Sequence, residues 1–215
     1  MSTRRMPAAE RKKQILMCAI RVFARSTYHG ATTKSIAEEA GVTEALLYRY
    51  FGSKREIFKE GIRHTASRLT RGLEEILRED QHRPMYTIWA CADYFVSILE
   101  SHQDLARMIF LVLAEMDQDD VREVYLPFQK AALEALKTSL LSWQERGYVD
   151  PAVNVDDAAW LFYGSYILLA QVKQSQGAVR LDPNRVMNLI RPYFTEKGQE
   201  RLEELSASQR ENDPS

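Results

Sequence analysis

The stretch TTKSIAEEAGVTEALLYRYFGSKREIF, residues 32 to 58, predicts two short helices joined by a tight turn, followed by the start of a longer helix. Ile36 and Ala40 lie four residues apart, so they share one face of the first helix, for which Thr33 is the predicted cap. Gly41 follows directly, and glycine adopts the left-handed conformation that ends a helix without steric cost. The spacing therefore predicts a helix, a turn and a second helix within 20 residues.

The second helix has one apolar side and one polar side. Leu47 and Phe51, one turn apart, give it a buried face, and Gly52 ends it. Ser53 and Glu56 then form a predicted capping box for the next helix. The side away from the core carries Glu44, Ala45, Tyr48 and Arg49. A helix of about two turns, exposed on one side and held between two others, is typical of the recognition helix of a helix-turn-helix.

This run resembles the DNA-binding signature of the TetR family of bacterial transcriptional regulators. The matching positions are Ile36, Ala37, Ala40, Gly41, Val42, Leu47, Tyr48, Tyr50, Phe51, Ser53, Lys54, Glu56 and Phe58. The motif covers about residues 8 to 60, and over the rest of the chain the resemblance rests on length and helical order. It implies an all-α fold of nine helices, with an N-terminal three-helix helix-turn-helix domain and a C-terminal helical domain for ligand binding and dimerisation.

Composition and charge fit such a two-part protein. The 215 residues are 45% hydrophobic with few glycines and prolines, which favours a helical chain with a substantial core. The net charge of −1 divides into +6 over residues 1–60 and −7 over the remainder. A basic N-terminal segment followed by an acidic remainder suits a protein whose first domain binds a polyanion. No long apolar run or signal peptide is present, so we expect a cytoplasmic protein with no membrane partner.

The periodicity predicts helices along the whole chain, with no convincing strand or repeat. Outside the motif they span about residues 8–25, 54–79, 84–102, 105–116, 121–146, 156–176 and 183–205. Asp104 is the expected cap of the fourth of these, and Pro127 should kink or restart the fifth. We predict a DNA-binding domain at 1–53, with a flexible arm at 1–7, an effector-binding and dimerisation domain at 54–205, and a disordered tail at 206–215.

The expected DNA contacts divide into phosphate-binding and base-reading groups. Hydroxyls, ammonium groups and free N–H groups at helix starts suit phosphate oxygens, and the resemblance assigns Tyr48 a phosphate contact. Base reading falls to the exposed side of the second helix, where arginine can pair with guanine and a carboxylate with cytosine. Alternatively, Glu44 reads no base and only stabilises the N-terminus of its own helix through the helix dipole. The DNA-binding set is Thr33, Lys34, Thr43, Glu44, Ala45, Tyr48, Arg49, Tyr50, Ser53 and Lys54.

The resemblance also implies a homodimer, because in this family the last two helices of each subunit pair into a four-helix bundle. Two recognition helices then meet successive major grooves of double-stranded DNA on a near-palindromic site. The alternative is that these apolar helices belong only to the chain's own core. The predicted interface residues are Trp160, Tyr163, Gly164, Ile167, Val186 and Ile190.

The family's C-terminal domain holds a small-molecule pocket, and few charges interrupt the middle helices here. We therefore expect a small apolar or aromatic effector, although aromatic residues at helical spacing are also ordinary core. The candidate lining residues are Trp89, Phe95, Met108, Phe110, Met116, Tyr125, Phe128, Phe162 and Tyr166.

An enzyme is the rival class that the sequence argues against. The four histidines are scattered, and neither His nor Cys residues show metal-ligand or nucleophile spacing, so no catalytic residue, metal or cofactor is predicted. Cys18 and Cys91 are expected to be buried and reduced. The acidic run between Glu115 and Asp120 is interpreted as a solvated helix boundary. A second alternative is a helical dimer that binds a partner protein or organises the chromosome.

Overall fold

The computed structural model describes residues 6–79, 82–176 and 184–199. Within them the fold is all-α, as predicted, and the β structure consists of one isolated bridge between Val149 and Phe194. The helices are α1 Ala8–Gly30, α2 Thr33–Ala40, α3 Glu44–Phe51, α4 Lys54–Glu79, α5 Pro84–Ser101, α6 Gln103–Ala114, α7 Asp119–Glu145, α8 Val155–Gln176, α9 Asn184–Ile190 and α10 Glu196–Gln199, with a 3₁₀ turn at Arg191–Tyr193.

The chain forms two compact units. Of the described residues, the first unit contains those up to Arg68 together with His102–Pro127, and the second contains those between Leu69 and Ser101 together with those from Phe128 onward. The first unit therefore combines α1, α2 and α3 with the beginning of α4, with α6 and with the beginning of α7. The functional division at residues 53 and 54 stays a prediction.

Aromatic and branched side chains fill the core of the first unit. The ring centroids of Phe23 and Phe58 are 5.1 Å apart in an edge-on arrangement, and Tyr28 packs 4.8 Å from Phe58. The fully buried side chains nearest the helix-turn-helix include Ile15, Ile20, Ile36, Leu47, Ile57 and Ile62. Because α1 and α4 both contribute to this core, they hold the short helices α2 and α3 in place.

The end of α1 departs from the predicted boundary at Arg25. The helix is recorded through Gly30, but Thr27 interrupts it with φ 64° and ψ 175°. Positive φ with an extended ψ is a region that glycine occupies and a β-branched residue strongly disfavours. The N–H groups of Gly30 and Ala31 donate to the Thr27 hydroxyl and carbonyl at 3.4 and 3.2 Å, so the turn holds Thr27 there.

Replacing Thr27 with glycine is expected to raise the free energy of unfolding by about 1 kcal/mol, because relief of backbone strain exceeds the added entropy of the unfolded chain. Urea unfolding monitored by circular dichroism measures the change. Ser26→Gly is the matched control: Ser26 lies in the helical part of α1, where glycine costs about 0.5–1 kcal/mol. Equal destabilisation by the two substitutions would contradict the strain at Thr27.

The α2–α3 turn follows the predicted design with one correction. The cap of α2 is Thr32 and not Thr33: the Thr32 hydroxyl accepts the Ser35 N–H at 3.0 Å, and the Ser35 hydroxyl accepts the Thr32 N–H at 3.1 Å. Gly41 has φ 62° and ψ 39°, and the Val42 N–H donates to the Ala37 carbonyl at 3.0 Å. This left-handed glycine closes α2 and lets α3 begin three residues later.

One prediction for the middle of the chain is wrong and another is narrowed. The cap residue of α6 is His102 and not Asp104, which lies in the first turn. Of the two outcomes predicted at Pro127, a restart does not occur, because α7 continues through this residue, and the kink stays a prediction.

The C-terminal helix is shorter than predicted. α9 ends at Ile190, and Arg191–Tyr193 forms a 3₁₀ turn before α10. Pro192 explains the break, because its ring disfavours the α conformation at Arg191 and removes a backbone donor. The predicted opening residue Pro183 and the predicted tail lie outside the described residues.

Candidate nucleic-acid interface

Helix α3 turns its apolar side inward and its polar side outward. Leu47 is fully buried and Phe51 is 7% exposed, whereas Tyr48 is 45% exposed. Thr43, Glu44, Ala45 and Arg49 are also exposed. The side that the sequence assigned to base reading therefore faces away from the core of the first unit.

The ends of α3 are fixed by local chemistry. The Thr43 hydroxyl accepts the Leu46 N–H at 3.2 Å and caps the helix. At the other end Gly52 has φ 79°, and its N–H donates to the Tyr48 carbonyl at 2.7 Å. Both ends of this two-turn helix are thus satisfied, which keeps its exposed side in one orientation.

A chain of hydrogen bonds connects α3 with the start of α2. The Thr33 hydroxyl donates to the Glu44 carboxylate at 2.6 Å, and the Tyr48 hydroxyl donates to Thr33 Oγ1 at 3.3 Å. Three predicted DNA-binding residues from two helices are therefore brought together at one exposed place.

Lys34 and Arg49 present positive charge on the same two helices. Both residues are exposed, and the Arg49 guanidinium lies 5.8 Å from the centroid of the Tyr50 ring. Tyr50 is half-buried, so it offers its ring mainly as a support for the arginine.

Ser53 and Lys54 are engaged within the protein. Ser53 Oγ accepts the Glu56 N–H at 3.1 Å, but the Glu56 carboxylate pairs with Lys59 at 2.6 Å and not with Ser53. The Lys54 ammonium donates to the carbonyls of Tyr28 and Ala31 at 3.1 and 3.0 Å and lies over the Tyr28 ring at 4.6 Å. In this arrangement Lys54 fastens the α1–α2 loop to α4, a role that the sequence analysis missed.

Glu39 connects α2 to α1. Its carboxylate accepts hydrogen bonds from Arg25 at 2.6 Å and from Arg21 at 3.0 Å. These hydrogen bonds, that from Arg25 first, lower the pKa of Glu39 below its usual value. The contact fixes the orientation of α2, and its only sequence signal is a pair of arginines four residues apart on α1.

Arg55 at the start of α4 joins the beginning of α7. Its guanidinium donates two hydrogen bonds to Asp120, at 2.8 and 2.6 Å, and a longer one to Glu115 at 3.5 Å. Hydrogen bonding from Arg55 lowers the pKa of the Asp120 carboxyl. The interpretation of the acidic run between Glu115 and Asp120 as a solvated helix boundary is therefore wrong for Asp120, because its charge is paired with the half-buried Arg55.

The predicted effector residues fall in both units. Met108 and Tyr125 are buried in the first unit, where Phe110 and Met116 are half-buried. In the second unit Phe95, Phe162 and Tyr166 are buried, while Trp89 and Phe128 are half-buried. The centroids of the Phe95 and Tyr166 rings are 5.2 Å apart.

The Tyr166 hydroxyl is buried beside the thiol of Cys91, which is its hydrogen-bonding neighbour. Burial raises the pKa of Cys91 to about 12, so this thiol stays protonated at neutral pH. Cys18 and Cys91 are both free and buried.

Two surface cavities are found in the second unit, with volumes of about 190 and 480 Å³. The smaller is lined by His82, Arg83, Pro84, Met85, Tyr86, Tyr148, Lys197 and Gly198. The larger is lined by Lys130, Ala131, Leu133, Glu134, Lys137, Asp156, Ala159 and Trp160. None of the nine effector candidates lines either cavity.

The predicted dimer residues on α8 are exposed or half-buried, whereas those on α9 are buried. Trp160 is 55% exposed and Gly164 is exposed, while Tyr163 and Ile167 are half-buried. Val186 and Ile190 are only 2% and 0% exposed, so their side chains belong to the core of the chain itself. The exposed apolar residue of α9 is Leu189, at 51%, which the sequence analysis did not select.

Among the residues that the structure describes, no group of three or more His, Cys, Asp and Glu side chains is placed to hold a metal ion. Nor does any described helix have the length and apolar character needed to cross a bilayer.

A capped, half-exposed α3 that follows α2 across a tight turn defines a helix-turn-helix protein. The family profile described as "Bacterial regulatory proteins, tetR family" matches residues 15–60. Over these residues the chain therefore has the DNA-binding segment of TetR-family regulators.

The curated relatives include a transcriptional activator and a negative transcriptional regulator. The HTH-type transcriptional activator FasR of Mycolicibacterium smegmatis is 31% identical over 132 residues, 61% of this chain and 57% of the activator. This chain thus spans little more than half the length of that relative. The biofilm operon icaADBC HTH-type negative transcriptional regulator IcaR of Staphylococcus aureus is 22% identical over 78% of this chain and 88% of that protein.

The fold is shared with solved structures. The transcriptional regulator FadR from Bacillus subtilis, solved in complex with stearoyl-CoA, aligns with a TM-score of 0.72 and 22% identity. The alignment covers 83% of this chain and 96% of FadR. At 22% identity, this likeness shows a shared fold and nothing further.

Proposed function

We propose that this protein is a ligand-responsive transcriptional regulator that binds a near-palindromic DNA operator as a homodimer in the cytoplasm. The observation that carries the proposal is the orientation of α3, whose apolar side is buried while Ala45, Tyr48 and Arg49 are exposed. A helix held in this way can enter the major groove with its polar side against the base edges.

Within this interface we assign base reading to Arg49 and phosphate binding to Tyr48 and Thr33. The Arg49 guanidinium offers two parallel donors, which match O6 and N7 of guanine. The hydroxyls of Tyr48 and Thr33 offer one donor each, which suits a phosphate oxygen. Lys34 adds an exposed positive charge at the start of α2, and we assign it to the phosphates as well.

Arg49→Ala is expected to weaken binding to the preferred duplex by about tenfold or more and to relax preference at one base position in each half-site. Tyr48→Phe should weaken binding to all duplexes to a similar, smaller extent, because a phosphate contact carries no base information. Fluorescence anisotropy with the preferred duplex and its single-base variants measures both effects. Unchanged affinity and preference for Arg49→Ala would mean that α3 presents another side to DNA.

The exposed side of α8 supports a homodimer. Trp160, Leu161 and Leu168 are 55%, 37% and 51% exposed, and a side chain added at Gly164 would meet no atom within 4 Å. Spacings of four and seven residues place these positions on one side of the helix. An apolar side with a glycine at its centre suits close packing against the same helix of a second copy, together with Leu189 of α9.

We propose that the effector is a small apolar or aromatic molecule. Support comes from the aromatic content of the second unit and from the fold shared with FadR, which was solved with stearoyl-CoA. The buried Tyr166 hydroxyl could serve as a polar anchor for such a ligand. Thermal shift of the purified protein against a panel of acyl-CoAs tests this class, since a ligand that binds only the folded state raises the melting temperature.

The direction of the ligand's effect on DNA binding is measured in a second assay. We predict a repressor, and the relatives include both an activator and a negative regulator. Adding a thermal-shift hit to a protein–DNA complex distinguishes release from strengthening of DNA binding.

The central test is selection of duplexes from a random pool, followed by mobility shifts with the enriched sequence at increasing salt. A regulator should enrich one near-palindromic sequence and form a discrete, salt-sensitive complex. Binding without sequence preference would favour the alternative of a chromosome-organising dimer, and no binding would favour a partner-protein role.

A further inference from the structure

Glu44 is a negative charge on the side of α3 that faces outward. It is the first residue of α3, and its carboxylate accepts the Thr33 hydroxyl at 2.6 Å. Thr33 Oγ1 in turn lies 3.3 Å from the Tyr48 hydroxyl. We refer to Glu44, Thr33 and Tyr48 as the Glu44 triad.

The direction of each hydrogen bond in the triad is fixed by chemistry. A carboxylate only accepts, so the single hydroxyl proton of Thr33 must be donated to Glu44. Thr33 Oγ1 can then only accept from Tyr48, which uses the single proton of the Tyr48 hydroxyl. In the free protein both hydroxyl protons are therefore used inside the triad, that of Thr33 for Glu44 and that of Tyr48 for Thr33.

A phosphate competes with Glu44 for these donors. A phosphate oxygen accepts hydrogen bonds and cannot donate them, so Thr33 or Tyr48 can bind it only by turning away from the triad. If Thr33 turns, the carboxylate loses its hydrogen bond, and in either case a second negative charge approaches it. Any duplex that docks on α3 meets this cost, whatever its sequence.

Glu44 also lacks a compensating cation, which distinguishes it from Glu39 on α2. Glu39 receives Arg21 and Arg25 at 3.0 and 2.6 Å, whereas no Lys or Arg nitrogen in residues 6–79, 82–176 and 184–199 pairs with Glu44. Glu39 therefore braces the domain with its charge neutralised. Glu44 keeps its full charge on the proposed DNA-facing surface.

We propose that Glu44 is a specificity-determining residue that acts mainly by penalising non-cognate DNA. Only a base edge that donates a hydrogen bond in the major groove can satisfy the released carboxylate, which means the N4 amino group of cytosine or the N6 amino group of adenine. Sequences without an amino group at that position pay the cost of charge repulsion and receive no compensation. This inference rests on the proposed function and adds the residue that rejects the wrong sequences.

Glu44→Gln is the sharpest test, because the amide keeps the size of the side chain and an acceptor for Thr33 while removing the charge. Affinities are measured by fluorescence anisotropy for the duplex enriched by the wild-type protein and for a shuffled duplex of equal composition. We expect Glu44→Gln to tighten binding to the shuffled duplex by roughly three- to tenfold and to narrow the ratio of the two affinities by about tenfold or more.

Two further variants separate charge from position. Glu44→Asp keeps the charge, so its binding to the shuffled duplex should stay as weak as that of the wild type. Glu38→Gln removes the same charge from an exposed position on α2 and should leave the ratio of affinities unchanged. Circular dichroism confirms that each variant is folded.

The outcomes distinguish this inference from the function on which it rests. If Glu44→Gln leaves the affinity ratio unchanged, or narrows it no more than Glu38→Gln does, the inference is overturned while sequence-specific binding by the wild type stands. If the wild-type protein enriches no sequence, the proposed function fails and the inference fails with it.

Discussion

Leu47→Ala is expected to lower the free energy of unfolding by about 2–5 kcal/mol and to abolish DNA binding at ordinary protein concentrations. Leu47 is fully buried beneath α3, so truncation leaves a cavity under the one helix that presents the proposed base-reading residues. A two-turn helix has little stability of its own and depends on this packing. Urea unfolding by circular dichroism and mobility shifts on the same samples measure the two effects.

Leu46→Ala is the matched control, one residue earlier on the same helix. Leu46 is half-buried, so its truncation should cost much less than that of Leu47. A wild-type stability for Leu47→Ala combined with unfolding of Leu46→Ala would show that α3 is rotated by about one residue from the orientation described above.

Leu168→Glu is expected to produce a monomer whose affinity for the enriched duplex falls by about a hundredfold to ten-thousandfold. Leu168 is 51% exposed on the apolar side of α8, and a charge there cannot be buried against a second copy without a large cost. Losing the partner removes the second recognition helix and with it the gain from bivalent binding. Sedimentation equilibrium gives the oligomeric state, and fluorescence anisotropy gives the affinity.

Leu113→Glu introduces the same charge at an exposed leucine of α6, 39% exposed, that the proposed interface does not include. It should remain a dimer and retain affinity for the enriched duplex. A dimeric Leu168→Glu variant with wild-type affinity would overturn the assignment of α8 to the interface.

The features that local sequence determines were predictable. The recognition helix needs only Gly41 to end α2 and a pair of apolar residues one turn apart, and both signals lie within 20 residues. The all-α class likewise followed from helical periodicity along the chain. These features depend on backbone conformation and on one buried face, which short-range patterns encode.

The features that the sequence did not reveal depend on contacts between distant residues. Arg55 and Asp120 are 65 positions apart, and nothing in their surroundings distinguishes them from solvated surface charges. The two backbone carbonyls that hold Lys54 likewise leave no side-chain signature in the sequence. Exposure on α9 also escaped prediction, since Ile190 and Leu189 are adjacent apolar residues and only packing decides which one is buried.

Some predictions failed because a local signal was given too little weight. Pro192 stands inside the stretch predicted to be one helix, and its ring chemistry is sufficient to end α9 at Ile190. At Pro127, in contrast, the 27-residue helix α7 continues without a restart. The effect of proline thus depends on how much helix and packing surround it.

Hydroxyl-radical footprinting of the wild-type protein on its enriched duplex tests the central proposal most directly. Two α3 helices related by a two-fold axis should protect two symmetric segments on one face of the duplex, with centres one helical turn or a whole multiple of it apart. Arg49→Ala should lose this pattern at concentrations where the wild-type protein shows it. Uniform protection along the duplex, or a single protected segment, would contradict the symmetric pair of recognition helices.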